Sequence, residues 1–300
     1  GPGGHAAAAS VEAGHGLPWD PTWYNLADQA VNAVLFTHET TGMTYAASIA
    51  ALTLLVRVGV FPLFVMSQRN TSRMAHMRPE MDQLKRQIDA MGSTPDAETQ
   101  MRFQMQMRNL FKKYGCNPIK GLMVPFIQAP VFMSMFFGLR KMPDYFPDEL
   151  STGGEFWFMD LTAPDPYMIM PIASALSFLA MLEVGKEQML AGNPDQGKMM
   201  LNVFRGLAFF MVPITMNFST AVFCYWVTNN TVSMGQSVMF RNQAVRKALG
   251  IWDPPPPIPG EAKPKGIMDT IKEGMGKSKE QSAADRIKAH NAAIDRQKAA

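Results

Sequence analysis

Cysteine is nearly absent from the 300 residues: there are two, Cys116 and Cys224. Neither has CxxC or zinc spacing, which excludes a disulfide framework and a cysteine-bound metal centre. Lys and Arg are missing from residues 1–41. That stretch is unlike an Arg-rich presequence or the charged start of a secretory signal, so any targeting piece is expected to have been removed or never to have existed. No HExxH, GxSxG, GxxxxGK[ST] or DxDxDG pattern occurs, and His5, His15, His38, His76 and His290 all lie outside the apolar stretches. No enzyme, cofactor or metal site is expected. A net charge of +3 is too small for general nucleic-acid binding by the whole chain.

Average composition resembles a soluble protein, with 47% apolar residues and a mean hydropathy of −0.06. Position along the chain says otherwise. Asp and Glu are missing from five apolar stretches: 42–66, 119–139, 166–182, 206–218 and 219–240. At 1.5 Å per residue the first can cross a hydrocarbon core of about 30 Å. Five such segments exceed what the core of a soluble all-α protein needs. The expected fold class is an all-α integral membrane protein with five transmembrane helices.

The flanking charges alternate. The loop after span one carries nine Lys and Arg, the loop after span two is acidic (Asp144, Asp148, Glu149, Glu155, Asp160, Asp165), and basic residues return after spans three and five. The positive-inside rule then places the N-terminus outside and the C-terminus inside. Residues 1–41 form the outer N-terminal segment, 42–250 the five-helix core, and 251–300 a proline spacer with a basic tail.

Within the core, residues 67–118 are too long for a plain connection. Met74, Met77, Met81, Leu84, Ile88 and Met91 recur at alternating spacings of three and four, a heptad-like stripe. Gly92 can end this helix; Thr94, followed by Pro95, can cap the next. Phe103, Met107, Leu110, Phe111 and Tyr114 line one face, and Gly115 stops the helix. The two stripes predict an antiparallel helical hairpin on the inner side. Its apolar seam either packs on itself or also offers adaptable methionine contacts to apolar partners. His76 is read as a surface residue.

Arg57 is the one charge within span one, nine residues from its inner end. That is ~13 Å deep, too far for easy snorkelling. An Arg at a helix centre costs about 2.5–3.5 kcal/mol on insertion scales, and no span carries a carboxylate; Glu183, at the inner end of span three, is nearest. Arg57 is therefore expected to face a water-filled cavity. Gln128 of span two and the face Tyr225, Asn229, Ser233, Gln236 of span five, with Thr228 and Asn230 beside it, are candidates to line it. Interhelical hydrogen bonding is the competing use for such residues.

The segments LTLLVRVGVFPL, KYGCNPIKGLMVPFIQAPVFMSMFFGLRKM (113–142), TGGEFWFMDLTAPDPYMIMP (152–171) and FSTAVFCYWVTNN (218–230) resemble the YidC/Oxa/Albino family of membrane-protein insertases, nearest its mitochondrial Oxa-type branch. The resemblance covers roughly residues 42–250. It implies five spans and a groove open to the inner aqueous side and to lipid, with the family's groove arginine at Arg57. It also implies insertion of nascent membrane proteins into the mitochondrial inner membrane without nucleotide hydrolysis, and a C-terminus in the matrix. A basic C-terminal extension of mitochondrial members contacts the mitochondrial ribosome, and residues 261–300 match it in placement and charge. The residues agree with this mechanism. A cationic half-channel attracts acidic substrate flanks, transfer of the apolar segment into lipid drives insertion, and short spans three and four thin the bilayer beside it.

Residues 253–260 form a stiff polyproline spacer. Beyond it, Lys263, Lys265, Lys272, Lys277, Lys279, Arg286, Lys288, Arg296 and Lys298 suit an acidic partner, either ribosomal RNA of the large subunit or anionic lipid. Two other functions remain open at this level: a small-solute channel or transporter, disfavoured by the lack of internal repeats, and a passive ribosome tether or assembly scaffold that needs the tail but not Arg57.

Overall fold

The computed structural model describes residues 16–90, 96–191 and 194–256, together with Gly266 and Lys272. The chain divides into two compact units, residues 1–256 and 257–300. Only the first is described in detail. Lys263, Lys265, Lys277, Lys279, Arg286, Lys288, Arg296 and Lys298 of the tail, and Gly92, Thr94 and Pro95 of the hairpin tip, lie outside the described residues.

Apart from a single bridge pair, Glu155 with Phe158, the regular structure among the described residues is helical. The helices are α1 (Leu26–Thr41), α2 (Tyr45–Asp89), α3 (Ala97–Tyr114), α4 (Pro118–Tyr145), α5 (Pro147–Ser151), α6 (Ile169–Leu190), α7 (Pro194–Thr215), α8 (Thr220–Met239) and α9 (Gln243–Ala248). Three of them, α2, α6 and α7, combine the length and hydropathy needed to cross a membrane. Helices α4 and α8, which hold expected spans two and five, are 28 and 20 residues long.

Some elements differ from the sequence reading. The N-terminal segment contains α1, capped by the Asn25 side chain and ended by Gly42 at φ 67°. Span one and the first arm of the hairpin are one helix of 45 residues, α2. At 1.5 Å per residue it is ~67 Å long, about twice a hydrocarbon core. Pro62 and Pro79 lie inside it and each removes one backbone hydrogen bond, but neither ends it. The cap of α3 is Asp96, whose carboxylate accepts from Thr99 N at 3.0 Å. Gly115, at φ 59°, ends α3 as the sequence indicated.

The hairpin closes on its own apolar seam. Met77, Met81 and Cys116 are buried, with Met74, Met107, Leu110, Phe111 and Tyr114 packed around them. Burial pushes the Cys116 thiol above its ordinary pKa, so it stays protonated as a core group. Glu80 accepts from Lys113 Nζ at 2.5 Å and from Tyr114 OH at 2.7 Å. At the base, buried Asn70 accepts from Asn117 N at 2.8 Å and donates to Asn117 O at 3.0 Å, pairing with both backbone groups of one residue. His76 is half-buried: its Nδ1 lies 2.9 Å from Ser72 O and its ring meets Trp252 edge-on. The chain after α8 turns back here, burying Ile251 against Val65 and Phe240. Arg69 Nε donates to Leu249 O at 2.7 Å.

Helix α8 is central, packing on α2, α4 and α6; α7 packs on α6, and α1 on α4 and α2. The main core lies at the end away from the hairpin. Val31, Ile49, Leu139, Met142, Leu150, Leu161, Phe223 and Tyr225 are all essentially inaccessible there. It draws on the first turns of α2 and α8 and the last turns of α4, which leaves the hairpin-side halves of α2 and α8 free of it.

Asn70→Leu leaves the Asn117 N–H without its acceptor, while Asn117 O keeps the bond from Lys120 N at 3.1 Å. An unmade buried hydrogen bond costs about 1–3 kcal/mol, so the hairpin base should loosen by that order. Amide hydrogen exchange should accelerate at Asn117 and along α3 while the α1–α4 core keeps its protection; unchanged protection at Asn117 contradicts the pairing.

Candidate functional site

Arg57 stands where the main core gives way to open space. It is 5% exposed. Its Nη2 donates to Asn229 Oδ1 at 2.6 Å and to Ser233 Oγ at 2.7 Å. Both acceptors come from α8, one turn apart, so a single guanidinium nitrogen bridges two rungs of that face. The Phe64 ring lies 5.3 Å from Cζ on the same helix as Arg57. These partners are neutral. Glu183, the carboxylate at the inner end of span three, is engaged elsewhere: Arg205 donates to it from Nε at 2.7 Å and again from Nη2, and Lys186 Nζ approaches at 3.2 Å. That ion pair ties α7 to α6.

A cleft of about 630 Å³ opens on the hairpin side of this arginine. Arg57, Gln128, Asn229, Ser233 and Gln236 all line it. Its other walls are largely apolar, with Phe132 and Trp226 on one side and Phe178, Leu207 and Met211 of α6 and α7 on the other. A smaller recess continues past Arg57 toward the main core, bounded by Thr53, Gln128 and Tyr225. Tyr225 is the deepest member: its ring is in the core, and its hydroxyl has no hydrogen-bond partner among the described residues. Gln236 Oε1 is likewise buried without a partner among the described residues. Of the six residues expected from the sequence, five line the cleft, and Tyr225 lines the neighbouring recess, which shares Arg57, Gln128 and Asn229 with it.

The electrostatic balance follows from these contacts. Interhelical hydrogen bonds in membranes are worth about 0.6 kcal/mol on average and up to about 1.7. Two of them offset part of the roughly 2.5–3.5 kcal/mol cost of a central Arg. Both bonds run from Nη2, and among the described residues no acceptor is seen for Nε or Nη1.

Other polar residues serve as struts. Asn230 Nδ2 donates to Ser177 Oγ at 3.1 Å, joining α8 to α6. Gln68 Nε2 donates to Gln188 Oε1 at 2.8 Å, linking α2 to α6 where both line the cleft. Sequence reasoning missed these two glutamines and the aromatic wall of Phe132 and Trp226. Gln68 and Gln188 lie just beyond the apolar stretches, and neither has a periodic partner that would mark it. The aromatic residues are indistinguishable from lipid-facing ones until the helices are packed.

Comparison with known proteins supplies the family. Residues 36–247 match the family described as 60Kd inner membrane protein. Among curated relatives, the Mitochondrial inner membrane protein OXA1 of Arabidopsis thaliana is 36% identical over 235 residues, covering 78% of this chain and 54% of the relative. The protein of the same name from Saccharomyces cerevisiae is 31% identical over 266 residues, covering 87% and 64%. The chain therefore spans little more than half the length of the relatives it matches. A solved structure titled as an active YidC insertase overlays with a TM-score of 0.42 at 20% identity, covering 72% of this chain and 46% of that one. Family assignment stands on the sequence match, which takes in every helix that borders the cleft: the chain belongs to the 60Kd inner membrane protein family.

Proposed function

We propose that the chain is a membrane-protein insertase of the mitochondrial inner membrane. It receives nascent apolar segments on the hairpin side and releases them sideways into lipid. The carrying observation is Arg57, buried at the head of a cleft of about 630 Å³ with only neutral partners among the described residues. A cation held this way attracts the acidic flank of a substrate helix part-way into the bilayer. The mixed lining of the cleft, polar on α8 and apolar on α6 and α7, suits a segment with both kinds of surface.

In this reading α2, α4, α6, α7 and α8 are the five spans. The hairpin and the C-terminus face the matrix, and residues 1–41 face the opposite compartment. Water fills the cleft and satisfies Gln236 Oε1 and the Tyr225 hydroxyl. The packed core beyond Tyr225 closes the far end, which favours a half-channel over a through-pore for solutes. No nucleotide is hydrolysed: entry of the apolar segment into lipid releases about 25 cal/mol per Å² of apolar surface removed from water, and a substrate helix offers enough area to drive the step. The basic tail from Lys263 to Lys298 holds the ribosome by its RNA.

Charge at position 57 is then the quantity to vary. Arg57→Lys should retain most insertion of substrates with acidic flanks, whereas Arg57→Glu should lower it at least tenfold, equivalent to about 1.4 kcal/mol of lost attraction. Substrates with neutral flanks should be far less affected. Insertion into proteoliposomes, scored by protease protection of the translocated flank, reads this; equal activity of all three proteins on both substrate types rules out a role for the charge.

Removing residues 261–300 deletes nine basic side chains. Co-sedimentation with mitochondrial ribosomes in detergent, without anionic lipid, should weaken, and the intact protein's binding should fall steeply with salt. Insertion of pre-made substrates should persist. Undiminished co-sedimentation by the truncated protein places the ribosome contact on the hairpin instead.

A further inference from the structure

The acidic loop between α5 and α6 is singled out by its sequence, TGGEFWFMDLTAPDPY, and the insertion mechanism does not use it. It lies at the end of the bundle opposite the hairpin, hung from the first turns of three helices. Gly153 O accepts from Ala46 N at 3.0 Å and Glu155 Oε1 from Thr44 Oγ1 at 2.7 Å, at the start of α2. Ala163 O accepts both Thr220 N and Thr220 Oγ1 at the start of α8. Buried Asp165 accepts from Met170 N at 2.7 Å at the start of α6. Leu161 is fully buried in the main core. The loop is a rigid piece of the fold.

Rigidity here serves to present apolar groups outward. Gly154 N donates to Met159 O at 2.8 Å and Phe158 N to Glu155 O at 3.1 Å, closing a tight turn. Gly154 allows it: a Cβ there would stand 1.8 Å from Phe158 O. At the tip, Phe156 is held at φ 56°, in the left-handed region that side chains rarely adopt, and is 80% exposed. Trp157 is 42% exposed, yet its only polar atom, Nε1, is turned inward to Asp165 Oδ2 at 3.4 Å. Met159 and Tyr167 are exposed beside them. The acids of the turn are tied back, Glu155 to Thr44 and Asp160 to Thr162. The turn gives its Gly154 and Phe158 amides and the Trp157 indole N–H internal acceptors, which lowers the cost of contact with hydrocarbon, and aromatic rings concentrate at the membrane interface.

The apolar tip is also continuous with a membrane-facing surface. From Tyr167 the exposed face runs on through Ile169, Ile172 and Leu176, one stripe of α6, a helix long and apolar enough to cross the bilayer. We propose that the 154–159 turn is a lipid-inserting wedge: Phe156, Trp157 and Met159 sit in the headgroup–acyl boundary of the leaflet opposite the hairpin. It holds that end of the bundle at a set depth. The inference needs a bilayer but not insertase activity, so the two can fail separately.

The full chain is reconstituted into phosphatidylcholine vesicles whose lipids are brominated high on the acyl chain. The tryptophan emission of the unaltered protein minus that of Trp157→Phe isolates Trp157. Bromolipid should remove most of this difference signal, and aqueous iodide present on both sides should remove little. Quenching by iodide and not by bromolipid overturns the wedge. Shielding from both overturns it in favour of a protein cover, and disulfide formation between copies of Phe156→Cys then identifies that cover as a second copy. Should Trp157→Phe fail to fold, a nitroxide on Phe156→Cys replaces it: collision with dissolved oxygen must exceed collision with an aqueous nickel complex, and the reverse order rejects the proposal.

Discussion

A guanidinium with no carboxylate partner among the described residues organises the cleft half of this molecule. Arg57 is nearly inaccessible, and its described hydrogen bonds go to an amide oxygen and a hydroxyl. Those bonds recover only part of the cost of placing a cation at the centre of an apolar helix. The remainder explains why α2 and α8 are joined at Arg57 yet leave the space beside it open. A carboxylate on a neighbouring helix would have sealed the site as an ion pair, as Glu183 and Arg205 seal α6 against α7.

The two ends of the bundle obey different rules because of where the apolar mass lies. Aromatic and aliphatic side chains from α1, α2, α4, α5 and α8 fill the end away from the hairpin. Toward the hairpin the same helices carry Gln68, Gln128, Asn229, Ser233 and Gln236, and these line the cleft. Helix α2 runs through both regions and on into the hairpin without interruption. The hairpin base, pinned at Asn70, is therefore mechanically continuous with the wall that bears Arg57. Leu249 and Ile251 fasten near the same base.

Much of the site was legible in the sequence because membrane burial makes polar residues conspicuous. One charge in 25 residues, and polar side chains at spacings of 4, 4 and 3 on span five, are rare enough in an apolar background to mark a shared face. The methionine stripe of the hairpin was readable for the same reason, since a heptad-like repeat has few other uses. Where polarity is ordinary the signal vanished. Helix α1 lies in a segment of mixed composition, and Asp165 reads as one more acid of an acidic loop until it is seen capping α6.

Sequence alone determined the apolar segments, the lack of any carboxylate for Arg57 within them, and the hairpin's internal seam, because each depends on residue type and short-range spacing. Tertiary structure decided which polar residues meet. Asn229 and Ser233 became acceptors for Arg57, Asn230 turned away to Ser177, and Tyr225 closed the recess. Neighbours on one helix differ by about 100° in direction, and only the positions of α2, α4 and α6 around α8 decide which direction faces a partner, a cleft or lipid.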